Sequence, residues 1–207
     1  MTLALPHIVA DRQLRDNFDQ IALQFPIGAS QLQSAATVTT LPTAPVNGQE
    51  VYYVADATNG IVWHLKYRSA SASAYKWEFV GGPSLFAEIA TNETTASTTY
   101  VALATAGPTV TVPLAGDYDV EISLRNLNSG AGLACLRSFS IGATAAVDAD
   151  AAVGAPAVGS TDSFCSLRYR RKTALAASTA LAAKYRVTGG TGSFITRAMQ
   201  VTPVRVG

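Results

Sequence analysis

Beyond Ser84 the chain never runs far before a turn signal interrupts it, and this punctuation narrows the folds open to it more than any other feature. Segments rich in Val, Ile, Thr, Tyr and Phe alternate with clusters of Gly, Asn, Ser and Asp, the pattern of many short strands. The strands read as Phe86–Ala90, Thr98–Thr105, Thr109–Leu114, Asp117–Arg125, Leu133–Ile141, Phe164–Thr173, Ala182–Thr188 and Ile195–Val206. Ala115-Gly116 reads as a tight turn between two of them, and Asn126–Gly132 (NLNSGAG) as another. Eight strands in two sheets predict a jelly-roll-like β-sandwich over residues 84–207. Gly142–Ser163 (GATAAVDADAAVGAPAVGSTDS) is too long for an ordinary hairpin loop, so it is functional, mobile or held by a neighbour.

Residues 41–83 carry a separate signature. Val51–Ala55 is a strand, and Asp56–Gly60 (DATNG) a hairpin loop ending in Asn-Gly, a pair that accepts the backbone of a tight hairpin turn. Ile61–Arg68 alternates, with Ile61, Trp63, Leu65 and Tyr67 on one face. Tyr75–Val80 alternates again, with Tyr75, Trp77 and Phe79 on one face. A three-stranded antiparallel β-meander follows, its core formed by Trp63, Leu65, Tyr67, Tyr75, Trp77 and Phe79.

The first forty residues read differently. An extended arm, in which Pro6 prevents an early helix, precedes the helical segment Asp11–Phe25 (DRQLRDNFDQIALQF). Leu14, Phe18, Ile21 and Phe25 fall at the a/d rhythm of a coiled-coil seam. Asp11 is a good N-cap and Pro26 ends the ladder. So short a helix is marginal alone in water, and two phenylalanines on one stripe need a cover. Either the stripe packs on the chain's own sheets, or it forms a parallel trimer interface with copies of itself; the heptad spacing favours the second. The expected organisation is an arm, trimerisation helix and linker over 1–40, the meander over 41–83 and the sandwich over 84–207.

Composition removes whole classes of function. The 207 residues are 14% charged with a net charge of +1, so no bulk field draws the chain to nucleic acid or membrane. Hydrophobic residues reach 48%, which excludes disorder, and no run approaches the length needed to span a bilayer. MTLALPHIVA carries no Lys or Arg, so no secretory signal is expected. Cys135 and Cys165 make no metal cluster; buried free thiols are the expectation, a disulfide the lesser alternative.

No catalytic set emerges. The histidines are His7 in the arm and His64 on a strand, opposite in phase to Trp63 and Leu65. There is no nucleophile elbow, zincin pair, phosphate loop or dinucleotide fingerprint, and Gly189-Gly190-Thr191-Gly192 has no helix behind it. Glu88, Glu93, Asp117, Asp119 and Glu121 single out no pair for glycoside hydrolysis. Asp148 and Asp150 are a poor Ca²⁺ site without a ligand-rich loop. The expectation is a non-enzymatic protein with no cofactor and no metal. One charge run remains, Arg168-Tyr169-Arg170-Arg171-Lys172. On a strand Arg168, Arg170 and Lys172 share a face and form a candidate anionic-ligand patch, for instance for a surface glycan. The plainer reading is a solvated face, or interchain pairs with Asp148, Asp150 or Asp162, and it is preferred.

The segment LPTAPVNGQEVYYVADATNGIVWHLKYRSASASAYKWEFVGG, with RQLRDNFD upstream at Arg12–Asp19, resembles a module of tailed-bacteriophage virion proteins. Those proteins pair such a unit, here Gln49–Gly82, with an N-terminal helix of this kind. The resemblance covers roughly the first two fifths of the chain. It implies a virion structural protein of tail, baseplate or head-fibre type, made in the host cytoplasm. The expected form is a homotrimer that contacts other phage virion proteins through its arm and helix and presents a sandwich for host attachment. A purely architectural adaptor or capsid decoration protein is the alternative, and a polysaccharide depolymerase a more distant one.

Overall fold

A computed structural model describes residues 35–154 and 164–207. Thr37–Gly207 form one unit built almost wholly of strands. In chain order these are β1 (Ala36–Val38), β2 (Glu50–Asp56), β3 (Ile61–Tyr67), β4 (Trp77–Gly81), β5 (Leu85–Ile89), β6 (Glu93–Thr95), β7 (Thr109–Thr111), β8 (Gly116–Asn128), β9 (Cys135–Ile141), β10 (Ala152–Gly154), β11 (Phe164–Leu175), β12 (Ala180–Val187) and β13 (Gly192–Val206). Among the described residues the helical element is a single 3-10 turn, Asp148–Asp150. The chain is mainly β, as expected. The helix predicted over Asp11–Phe25, with Leu14, Phe18, Ile21 and Phe25, lies outside the described residues.

Two sheets share one core. The large sheet runs β1-β2-β3-β4-β13-β8-β11, with β5 and β6 also paired to β13. The small sheet runs β10-β9-β12-β7. From β7 onward every connection except β9–β10 passes from one sheet to the other. Ala115-Gly116 therefore carries the chain between layers rather than folding β7 back on β8.

β13 is the spine of the large sheet. One edge pairs with β8 from Gly192↔Asn128 to Val206↔Gly116. The other edge takes three short partners in turn: β6 at 192–194, β5 at 197–201 and β4 at 205–206. Both irregularities of β13 fall in the gaps between these partners. The register shifts between Ile195 and Ala198, with Thr196 at φ 43°, and again between Pro203 and Arg205. Pro203 has no N–H to give a ladder, and it sits where the ladder on that side is interrupted.

The three meander strands form, but β4 begins only at Trp77, so Tyr75, expected on its buried face, lies before the strand and outside the core cluster. Asp56 accepts bonds from Thr58 N (2.9 Å), Asn59 N (3.0 Å) and Asn59 Nδ2 (2.7 Å), fixing the loop before Gly60 at φ 66°. Trp63, Leu65 and Trp77 are buried, while Tyr67 and Phe79 pack partly buried against them. Gly82 closes the unit at φ 127°, where a Cβ would lie 2.4 Å from Val62 O. The sheet does not stop at residue 83, however. Arg205↔Glu78 and Val206↔Trp77 join β4 to β13, and the Trp63 ring lies 6.3 Å from that of Tyr118 in β8.

Three expected segments differ. Thr98–Thr105 is not a strand; it holds only the bridge Val101↔Tyr185. Ser97 N bonds Thr95 Oγ1 and Ser97 Oγ bonds Thr99 O, local hydroxyl contacts that compete with a ladder. The turn expected at Asn126 begins only after Asn128, because both asparagines are buried strand residues. Asn126 Nδ2 donates to Gly154 O (3.3 Å) and Asn128 Nδ2 to Gly189 O (3.1 Å). The stretch after Gly142 is held, at least to Gly154, by the 3-10 turn and by pairing of β10 with β9.

Trp63 packs on both Phe79 and Tyr118 and donates Nε1–H to Pro83 O at 2.9 Å. Trp63→Ala is expected to cost ~3–5 kcal/mol of unfolding free energy. In guanidinium the parent residues 41–83 and 84–207 should unfold in one transition, read by tryptophan fluorescence and by circular dichroism together; two separated transitions would show that the meander unfolds alone.

Candidate interaction site

β11 is the last strand of the large sheet, paired through β8 alone among the described residues. A twelve-residue edge is a template for unwanted pairing unless it is blunted, and charged side chains blunt it. The basic run lies on this edge. Alternation splits it as expected, Arg168, Arg170 and Lys172 on the inner side and Tyr169 and Arg171 on the outer side.

The inner-side cations are engaged by a clasp from the 3-10 turn Asp148–Asp150. Lys172 Nζ lies 2.5 Å from Asp150 Oδ2, and Arg170 Nε lies 3.3 Å from Asp150 Oδ1. Arg168 Nη2 donates to Ala149 O at 3.1 Å, and Arg170 donates to the same carbonyl. Asp150 itself is only 5% exposed. Its neighbour Asp148 accepts both Nε (3.0 Å) and Nη2 (2.6 Å) of Arg186, and the Tyr100 hydroxyl at 2.8 Å. The two aspartates thus tie β11, β12 and the 95–108 loop together within one chain. Arg168, Arg170 and Lys172 are in this sense structural, and the pairing of Arg170 and Lys172 with Asp150 is intrachain; Asp162 lies outside the described residues.

On the outer side Arg171 meets Asp119 directly across the ladder, Nε to Oδ1 at 2.7 Å and Nη2 to Oδ2 at 2.8 Å. This bidentate bond from Arg171 holds the Asp119 carboxyl below its usual range. The Arg186 guanidinium, then Tyr100, do the same for Asp148. Lys66 and then His64 lower Glu50, which accepts Lys66 Nζ at 2.6 Å and lies 2.9 Å from His64 Nε2.

The outer face of the large sheet carries several large exposed apolar side chains. Its rows follow the register: Phe86, Gln200, Glu121, Tyr169 and, beside it, Glu88, Ala198, Ser123, Leu167. Phe86, Leu167 and Tyr169 are 59, 61 and 55% exposed. Small and polar side chains thus lie between apolar edges, roughly three strand spacings of ~4.8 Å apart. Tyr52 extends exposed apolar surface onto the meander, its ring 5.1 Å from that of His64.

Two residues escaped sequence reasoning altogether. Arg137 and Arg197 are fully buried between the sheets. Arg137 donates to Ser123 O, while Arg197 donates to Thr105 O (3.1 Å) and Thr91 O (3.2 Å). Burial pushes Arg137 down to about 10, against an upward pull from Tyr185; the like charge of Arg197 adds a smaller downward push. The signal was available for Arg137, a lone charge on an apolar phase of alternation. It was hidden for Arg197, because the bulge at Thr196 resets the phase.

Of the carboxylates considered for hydrolysis, Asp119 binds Arg171, Asp117 accepts Ala174 N (3.0 Å) and Glu93 accepts Thr105 N (2.8 Å). Among the described residues no three His, Cys, Asp or Glu side chains converge as metal ligands, and no helix is long and apolar enough to cross a membrane. Cys135 is a buried free thiol whose Sγ donates to Leu127 O at 3.3 Å.

No protein-family model matches the sequence, and no characterised protein matches it. Among solved structures, the chain is loosely similar to the tumour necrosis factor Eiger of S. frugiperda, at 12% identity and a TM-score of 0.42, over 60% of this chain and 95% of that one. It is similar at 11% identity and a TM-score of 0.37 to a structure of infectious bursal disease virus, Gx strain, over 72% of this chain and 42% of that one.

Asp150→Asn leaves Arg170 and Lys172 facing a neutral amide. It is expected to cost ~1–3 kcal/mol, less than a fully buried pair because both cations keep some water. Adding Lys172→Met should recover part of the loss in a chemical-denaturation cycle; strict additivity would show that the two do not interact. Acid sensitivity follows from the lowered carboxyls. Their contribution is complete above their unfolded values of 3.8 to 4.5 and is lost as pH falls through the still lower folded ones. Stability should therefore be level from neutrality to about pH 5 and fall below about pH 4, with Asp119→Asn reducing the fall; a loss centred near pH 6 would contradict this.

Proposed function

We propose that the chain is a non-enzymatic structural subunit of a phage virion, a trimeric tail-fibre or head-fibre component. It anchors by its N-terminal arm and helix and presents the sandwich, which we read as a jelly roll from its strand order, for host-surface attachment. The observation that carries the reading is the exposed apolar border, Phe86 on one edge and Leu167 and Tyr169 on the other, with Gln200, Glu121, Ala198 and Ser123 between them. A surface of this kind, next to a basic run whose cations are engaged within the chain, suits burial against copies of itself. The virion assignment is supported by the resemblance of Gln49–Gly82 and Arg12–Asp19 to phage virion modules. The Arg171–Asp119 pair and the Asp150 clasp leave little of the basic run for a ligand, which favours Leu167 and Tyr169 over the cations as contact residues.

The second reading is an architectural adaptor or decoration protein without a receptor. The same intrachain neutralisation of Arg168, Arg170 and Lys172 favours it, since the one candidate glycan patch is occupied. Light scattering of the full chain is expected to give three times the chain mass. Phe18→Asp with Ile21→Asp tests the helix, and Phe86→Ser with Leu167→Ser tests the sheet face. Dissociation in either variant locates the assembly energy there; a monomeric parent would overturn the trimer. Binding of the trimer to an array of bacterial surface polysaccharides separates the attachment reading from the architectural one, and cleavage of any of them would overturn both.

A further inference from the structure

Arg137 of β9 and Tyr185 of β12 are direct cross-strand partners in the small sheet, and both are fully buried. The Arg197 guanidinium, from β13 in the opposite sheet, lies over the Tyr185 ring at 5.4 Å and is also fully buried. Two cations and a phenol therefore meet in the interior of the sandwich. Their hydrogen bonds run to backbone carbonyls of Ser123, Thr91 and Thr105, which are neutral acceptors. Among the described residues no carboxylate pairs with either guanidinium. Arg137 Nε and Nη2, Arg197 Nε and Tyr185 Oη are buried without a hydrogen-bond partner. Unpaired buried donors on charged groups are among the costliest features a core can hold.

The backbone is strained to create this arrangement. Thr196 is β-branched and sits at φ 43°, a region such residues seldom enter. Its bulge resets the alternation of β13, so that Phe194, Arg197 and Met199 all point inward. Without it, Arg197 would fall on the solvent face. Strain at one residue thus delivers a second buried positive charge beside the first, which makes no sense for a core left uncompensated.

We propose that Arg137, Arg197 and Tyr185 form an internal binding site for one small monovalent anion of the halide class, chloride being the available one. A water molecule fits the donors less well. It must also place its own two hydrogens, and the three side chains offer a single acceptor, the Tyr185 oxygen. A halide only accepts, and it cancels one of the two charges. The site bridges the two sheets, with Arg197 from one and Arg137 and Tyr185 from the other, so bound anion stabilises the sandwich by mass action.

The test is thermal unfolding of the full chain in sodium gluconate, chloride, bromide and sulfate at equal ionic strength. Halide at a hundred times its dissociation constant should raise Tm by about 5–10 °C over gluconate. Arg137→Met, which keeps bulk and removes the charge, should abolish the halide dependence. Should that variant not fold, crystals of the unaltered protein grown in bromide should show an anomalous peak beside Arg137 and Arg197. Equal Tm in all four salts, stabilisation by sulfate but not halide, halide dependence retained in Arg137→Met, or no bromide peak at the three side chains would each overturn the site.

Discussion

The pairing of β13 with β8 is the constraint on which the rest of the structure depends. It runs the full length of both strands and places the end of the chain at the centre of the large sheet. Everything earlier must then dock along it. β6, β5 and β4 occupy successive stretches of the free edge of β13, and β11 closes the far side of β8. These contacts are distant in sequence, so forming them costs loop-closure entropy that a local hairpin does not. The meander, by contrast, needs only local hairpins, and its Asp56-anchored loop and Gly82 corner are written into a short stretch of sequence.

That difference in range explains what the sequence made legible. Hairpin strands are announced by alternation and by the turn between them, so β2, β3 and β4 were found with their buried faces: Trp63, Leu65 and Trp77 inward, His64 and Lys66 outward. Long strands were found by their content, but their ends were displaced wherever a polar residue turned inward. Asn126 and Asn128 look like turn residues because they usually are; here each amide bonds a carbonyl of another segment, which no local pattern encodes. Thr98–Thr105 departs the other way, a β-compatible run whose start is tied down by the Ser97 hydroxyl and whose end, at Thr105 N, bonds Glu93, leaving a single bridge between.

The candidate surface divides along the same line. The alternation of Arg168 to Lys172 was readable, since period two is a property of any strand. Asp148 and Asp150 stood among the expected partners, but as interchain ones; that Asp150 meets the run within one chain was not readable, because it belongs to a stretch of Ala, Gly and Val with no periodicity. A 3-10 turn of three residues supplies two carboxylates and a carbonyl to four basic side chains on two strands. The basic run consequently has two roles compatible with one another: it discourages strand addition at the edge, and it fastens the segment between β9 and β10 to the sheet.

Charge pairing at this edge and charge isolation in the interior belong to the same chain, and the contrast is informative. Asp119, Asp148 and Asp150 each answer a cation that retains contact with water, where the desolvation of the pair is incomplete. Arg137 and Arg197 have none, where compensation matters most. A core that needed only volume would take Met or Leu at both positions without strain, as it does at Met199 and Leu181. Retaining two guanidiniums there, one of them through a bulge at a β-branched residue, is what a stability-neutral core would not do. The polar interior is therefore where a compensating negative charge adds most to the stability of the fold.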